Sequence, residues 1–450
     1  MQTLKKKYGI WTATALVVGV VIGSGVFFKA PKVLKITNGS LTLALLAWLI
    51  GGLIMIVSAY VFSLAARKIG KANGIVDYME SAYGETAGYL TGWFITFIYY
   101  PSLASVLAWV SGMYTTVLLQ FDDSGYGVTT WAFACLYLFA IFLLNYYSPE
   151  LSGKWQVSTT VVKLIPLGLV AIVGTVSGLY TGQTIANFTS APIDLVGGNI
   201  FFQAILATAF AYEGWILVTS INAELKDAKK NLPKALVYGT IFIVIIYMLY
   251  YIGFSGAISN SEAMELGDGA VLIVVQSLFG NFAGTILTVF VIISCLGTLN
   301  GVVMAESRGL YSIASRNLGP MPKFFRKINP SNDVTTNSAL AGFILILLWL
   351  VFWYNSIMVW FGISSGWWPA MDSSELPIAI LYGIYIGVYI WVMRTFKELN
   401  IVKRFILPSL AIIGSLVILY GAFNLANVWL FLGIATCIMI ISLLFNKKTL

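Results

Sequence analysis

The sequence predicts an all-α integral membrane protein with about twelve spanning helices. Three observations predict it. Hydrophobic residues make up 59% of the 450 residues and charged residues 10%, where a soluble domain carries roughly 25% charged residues. Apolar runs recur from near residue 10 to residue 445, each about the 20 residues that cross a hydrocarbon core as a helix. The runs do not alternate: LAIIGSLVILYGAF lacks the period of a barrel strand. Helices satisfy their backbone groups internally, as a bilayer requires.

Helices are expected near 11–35, 42–66, 88–119, 127–147, 157–180 and 199–220, then near 235–258, 280–305, 336–354, 374–393, 405–423 and 425–445. Before the first, Met1 to Lys7 has no small-residue cleavage site, so that run reads as a retained span. The loops then separate by charge. One side holds Lys5, Lys6 and Lys7, then Arg67, Lys68 and Lys71 after helix 2, then Lys154 between helices 4 and 5. It continues with Lys226, Lys229, Lys230 and Lys234, then Arg308, Arg316, Lys323, Arg326 and Lys327 after helix 8. Arg394, Lys397, Lys403, Arg404, Lys447 and Lys448 complete it. The other side holds Lys29, Lys32 and Lys35 with the acidic Asp122, Asp123, Asp194, Glu262, Glu265 and Asp268. Basic loops stay cytoplasmic, which places both termini there. The segment Asn355–Ser373, with GISSGWWP, reads as interfacial or re-entrant.

The same asymmetry explains the net charge of +8 without a nucleic-acid partner. The three cysteines, Cys135, Cys295 and Cys437, lie in apolar segments and imply no disulfide framework. Histidine is absent, which removes the commonest metal ligand and acid/base group. No cofactor or metal site is expected. The loops are too short for a soluble domain on either side.

Two ionisable residues fall deep in apolar runs. Lys163 lies nine residues beyond Lys154, about 14 Å into the bilayer at 1.5 Å per residue. A lysine there costs about 2.5–3.5 kcal/mol and points to a functional site, the alternative being a packing brace. Glu213 lies in ATAFAYEGWILV, as a site residue or as a carboxylate facing a wet cavity. Two helices look breakable. Helix 1 has Gly19, Gly23 and Gly25, and helix 6 has Ala211-Tyr212-Glu213-Gly214. Gly19 and Gly23 also have the spacing of a helix-packing face. Freed N–H groups attract a carboxylate, and freed carbonyls attract an ammonium. These helices begin two blocks of five spans, and an odd number of spans inverts the second block. Matching interruptions in inverted halves point to a transporter binding site.

At these residues the chain resembles the amino acid–polyamine–organocation superfamily. Within it, the chain is similar to the L-amino acid transporter family, including bacterial serine/threonine and alanine/serine/cysteine exchangers. The resemblance covers nearly the whole chain. It rests on Ile22-Gly23-Ser24-Gly25-Val26-Phe27 and Phe210-Ala211-Tyr212-Glu213-Gly214-Trp215. Glu224-Leu225-Lys226-Asp227, Asn231-Leu232-Pro233 and Lys163-Leu164-Ile165-Pro166 add to it. So do Asn145, Gly153 and Gln156, and Arg308, Ala314, Arg316 and Pro320.

The resemblance implies a leucine-transporter-like fold. Residues 1–398 would form a five-plus-five inverted-repeat core, with helices 1–5 about 11–180 and helices 6–10 about 199–393. Residues 399–450 would hold two accessory helices. Backbone amides around Gly23 to Gly25 and the Ser24 hydroxyl would bind a substrate carboxylate. Carbonyls near Ile22, Phe210 and Glu213, with Ala211 and Gly214 in the same break, would bind its ammonium. Phe210 would be an aromatic lid. Lys163 would stand where sodium-coupled relatives hold sodium, with Tyr247 and Ser294 as neighbours. The implied activity is sodium-independent exchange of small neutral L-amino acids, with proton-coupled symport as the alternative. Two departures stand out. The loop FDDSGYG lacks the cysteine that would join a disulfide-linked heavy chain, and the stretch before helix 10 is long and tryptophan-rich. A channel would need a filter or rings of charge. An enzyme would need clustered nucleophiles, metal ligands or paired acids.

Overall fold

A computed structural model describes residues 9–23, 25–69, 74–121, 127–190, 198–329, 334–360 and 374–446, and these are helical with no strand among them. The first block contains α1 (Ile10–Val21), α2 (Gly25–Ile36), α3 (Leu41–Lys68), α4 (Ile75–Tyr83), α5 (Glu85–Leu118), α6 (Val128–Tyr147) and α7 (Pro149–Thr181). Next come α8 (Gln183–Thr189), α9 (Gly198–Ala211), α10 (Ala228–Ala257), α11 (Asn260–Leu266) and α12 (Ala270–Glu306). The last are α13 (Gly309–Ala314), α14 (Pro322–Phe325), α15 (Thr336–Trp360), α16 (Leu376–Thr395), α17 (Val402–Phe423) and α18 (Val428–Leu444).

Among the described residues, nine helices are long and apolar enough to cross a bilayer. The number is ten when α1 and α2, which meet at a 44° bend, count as one span. Two more apolar helices are shorter, Asn199–Ala211 and Val428–Leu444. The first is short because its span turns at Tyr212 and continues as the 3₁₀ segment Trp215–Glu224. Each apolar run identified in the sequence therefore holds a helix, whole or broken.

Boundaries differ where local chemistry differs. α7 begins at Pro149, whose fixed φ suits the first helical position. The helix expected from about residue 280 starts earlier, at Ala270, and bends at Gly280 (φ 74°, ψ 169°), where a side chain is disfavoured. α15 runs on to Trp360, so the expected interfacial stretch is helical over 355–360; its remainder, apart from this, lies outside the described residues.

The central elements are α1, α2 and α9. α1 packs on α7 and α10, while α2 and α3 pack on α9. α12 runs beside α5 and α7. Trp48 of α3 is fully buried against Tyr212, Tyr247 and Tyr251. The outward faces stay apolar: on α17, Leu410, Ile413 and Leu416 are exposed, as suits a lipid-facing surface.

Candidate functional site

Two helix breaks meet at the centre. α1 ends at Val21, and Ile22 is extended (φ −71°, ψ 102°) with its amide donating to Val18 O at 2.8 Å. α2 resumes at Gly25; Ser24 between them lies outside the described residues. A Cβ on Gly25 would fall 2.5 Å from Ala211 Cα. Only glycine lets the start of α2 touch the end of α9 this closely. At the second break, Tyr212 N donates to Thr208 O at 3.1 Å, and the chain turns through Gly214 at φ 105°. Gly19 and Gly23 serve packing: their hypothetical Cβ atoms would collide with Thr160 and Thr298.

One hydroxyl ties the breaks together. Tyr247 of α10 donates from its OH toward Val21 O (3.1 Å) and Ala211 O (3.2 Å), the last helical carbonyls before each break. Lys163 of α7 is fully buried. Its Nζ donates to Gly19 O at 2.6 Å and to Thr298 Oγ1 at 2.9 Å. A third helix thus holds the end of α1. Ser294, expected beside Lys163, is buried without a hydrogen-bond partner among the described residues. Thr298 stands four residues later on the same face of α12 and takes the place expected for it. Its hydroxyl also lies 3.4 Å from Ile22 O.

Glu213 is buried inside the second break. Its Oε1 accepts from Tyr99 OH of α5 at 3.0 Å and Tyr385 OH of α16 at 3.2 Å. The Gly214 amide also donates to this carboxyl, and apart from that Oε2 has no hydrogen-bond partner among the described residues. Gly23, Gly25, Phe210, Glu213, Gly214 and Thr298 line one cavity. Its volume is about 20 Å³, room for about one water molecule. The Phe210 ring centre lies 6.4 Å from that of Phe28.

Above Phe210 stands a feature that the sequence does not signal. The loop pattern puts Lys29 among the outer-side charges, but it is fully buried. Its Nζ lies 4.8 Å from the Phe210 ring centre and pairs with Glu375 at 2.8 Å and Ser374 at 3.0 Å. Lys32 joins Glu375 at 2.6 Å. Spacing alone cannot reveal a partner 346 residues away. Glu306, at the end of α12, is a further buried carboxylate that sequence reasoning misses; neither of its oxygens has a hydrogen-bond partner among the described residues. On the opposite side, Arg316 pairs with Asp77 (2.6 Å) and Glu80 (3.1 Å).

The arrangement offers a small space bounded by two interrupted backbones, with the Lys163 amine behind one break and a carboxyl in the other. No group of three or more His, Cys, Asp or Glu residues among the described residues is placed to hold a metal ion. Comparison with known proteins bears on what the space receives. A family profile described as amino acid permease matches residues 8–443. The chain is 33% identical over 328 residues to the serine/threonine exchanger SteT of Bacillus subtilis (strain 168), covering 73% of this chain and 72% of that protein. It is 29% identical over 358 residues to the human large neutral amino acids transporter small subunit 2, covering 77% of this chain and 64% of that one. It is 28% identical over 331 residues to the mouse Asc-type amino acid transporter 1, covering 72% and 61%. The match spans less than two thirds of the length of these two mammalian relatives.

Proposed function

The chain belongs to the amino acid permease family and is a multi-pass protein of the cell membrane; from that premise we propose that it is a sodium-independent exchanger of small neutral L-amino acids. The observation that carries this reading is the meeting of the two breaks, with Gly25 against Ala211 and Tyr247 bonded across both. Amides of Gly23, Ser24 and Gly25 would take the substrate carboxylate. Backbone at Ile22, Phe210, Ala211, Glu213 and Gly214 would take the ammonium, under the Phe210 ring. Lys163 supports sodium independence, because its ammonium already serves Gly19 O and Thr298 Oγ1 and needs no bound cation beside it.

The architecture that goes with this function has twelve spans. Residues 1–398 would form the inverted-repeat core and residues 399–450 the accessory pair. The lopsided loop charges support cytoplasmic termini. Transport, not chemical conversion, is the activity. The loop at 121–127 has no cysteine, so the reading includes no disulfide-linked heavy chain.

Counterflow tests the proposal. Purified protein in liposomes preloaded with a small neutral amino acid should take up labelled amino acid, and empty liposomes should not. Equal uptake by empty liposomes would overturn exchange. Uptake into empty liposomes only under a proton gradient would replace it with symport.

A further inference from the structure

A second cavity lies on the lipid-facing side of the bundle, a groove of about 350 Å³ between α5, α16 and α18. Leu90 and Phe94 of α5 line it with Ile380 of α16, and Leu432, Ala435, Met439 and Leu443 of α18 stand opposite. Apart from Thr436, its lining among the described residues is apolar. A neighbouring stripe of α18 is fastened to α5. Tyr89 OH donates to Ser442 O at 2.8 Å, and Trp93 Nε1 donates to Ile438 O at 3.0 Å. The rings of Trp93 and Phe445 stack with centres 6.1 Å apart. These large side chains space the two helices, and the groove opens beside the seam they make. Ile440 and Leu443 on its rim are exposed, as suits contact with lipid.

Length and charge identify the occupant. Leu432 and Leu443 are eleven residues apart, about 16 Å along a helix. One leaflet contributes half of a hydrocarbon core of roughly 30 Å, so the groove is as long as an acyl chain is deep. Its end near Leu90 and Leu443 adjoins a basic segment. The Gly319 amide donates to Phe445 O at 3.1 Å, and Arg326 Nη1 donates to Asn317 Oδ1 at 3.0 Å. These bonds tie α14 and its flanks to the end of α18. Lys323, Arg326 and Lys327 are exposed there, interleaved with exposed Met321, Phe324 and Ile328. Exposed apolar and basic residues in alternation suit a membrane interface and attract anionic headgroups. We propose that the groove between α5, α16 and α18 holds an anionic phospholipid of the cytoplasmic leaflet. One acyl chain lies along α18, and the headgroup phosphate meets Lys323, Arg326 and Lys327. The choice of leaflet rests on the cytoplasmic placement of the basic loops. The site is separate from the cavity between the helix breaks and does not depend on which solute is carried.

The test is photolabelling of the whole protein in phosphatidylcholine liposomes. These carry a trace of phosphatidylglycerol with a photoreactive group in one acyl chain. Labelling of α18 between Leu432 and Leu443 is expected to exceed, several-fold, that of lipid-facing Leu410, Ile413 and Leu416 on α17. Excess unlabelled phosphatidylglycerol should remove the α18 signal, and added phosphatidylcholine should not. Ala435→Trp, which fills the floor of the groove, should abolish the excess. Each basic residue near the surface favours an anionic lipid by about 5-fold. Replacing Lys323, Arg326 and Lys327 together by glutamine should therefore raise the phosphatidylglycerol needed for half-competition by about 10-fold or more. If a variant does not fold, competition in the wild-type protein still decides. Equal labelling of α17 and α18 would overturn the proposal, since bulk lipid does the same. So would equal competition by phosphatidylcholine, or variants that label and compete as wild type does. A dimer with α18 unlabelled would give this face to a second copy of the chain and overturn it as well.

Discussion

At the first helix break the ionisable group comes from outside it: Lys163 reaches in from α7 and donates to the Gly19 carbonyl. At the second the ionisable group belongs to the break: Glu213 sits in it, and α5 and α16 hold one of its oxygens. The first arrangement leaves little free, since the Lys163 Nζ joins backbone of α1 to a hydroxyl of α12. The second holds its carboxyl through two tyrosine hydroxyls and the Gly214 amide. A backbone break alone is only an interruption. Here, one break is shaped by a cross-helix donor, and the other carries a buried carboxyl of its own. Tyr247 connects the two.

Lys163→Ala should break this comparison most severely. It strips partners from Gly19 O and Thr298 Oγ1, at about 1–3 kcal/mol for each buried group. Exchange per folded molecule should fall about 100-fold or more. A brace with no part in transport would instead lower thermal stability and leave per-molecule exchange intact. Tyr247→Phe should cost about 10-fold, corresponding to about 1.4 kcal/mol. That loss should be the same for every substrate, because the hydroxyl serves both backbones; a loss confined to one class of side chain would contradict that role. Phe210→Ala removes the ring between the cavity and Lys29. Apparent affinity should weaken by about 5-fold, a modest share of the energy of a buried aromatic, while the protein stays folded. Unchanged affinity would remove Phe210 from the lid. The smallest effect is none: replacing sodium by choline should leave exchange unchanged, and a sodium-dependent rate in liposomes would sink the role given to Lys163.

Much of this is legible in the chain. Long apolar runs mark helices because a bilayer leaves the backbone no other partner. The interruptions are legible because glycine lowers helical persistence, and Gly25 and Gly214 do stand at breaks. The burial of Lys163 follows from counting residues along one helix. What one helix cannot reveal is its rotation against another. Ser294 and Thr298 share a face of α12, and only packing puts Thr298 level with Gly19. Lys29 reads as an outer-side charge because Glu375 is remote in sequence, and Glu306 is hidden beside the basic residues that follow it. The short helices α4, α8, α11, α13 and α14 carry too few residues for a periodic signal.

The central claim is that the space between the two breaks is where the substrate sits. A single cysteine at cavity-lining Leu217, in protein with Cys135, Cys295 and Cys437 replaced, tests it directly. A saturating exchange substrate should slow modification of Leu217→Cys by a small thiol reagent several-fold, while leaving unchanged the rate at lipid-facing Leu416→Cys. Equal rates with and without substrate at Leu217→Cys, in protein that still exchanges amino acids, would contradict it.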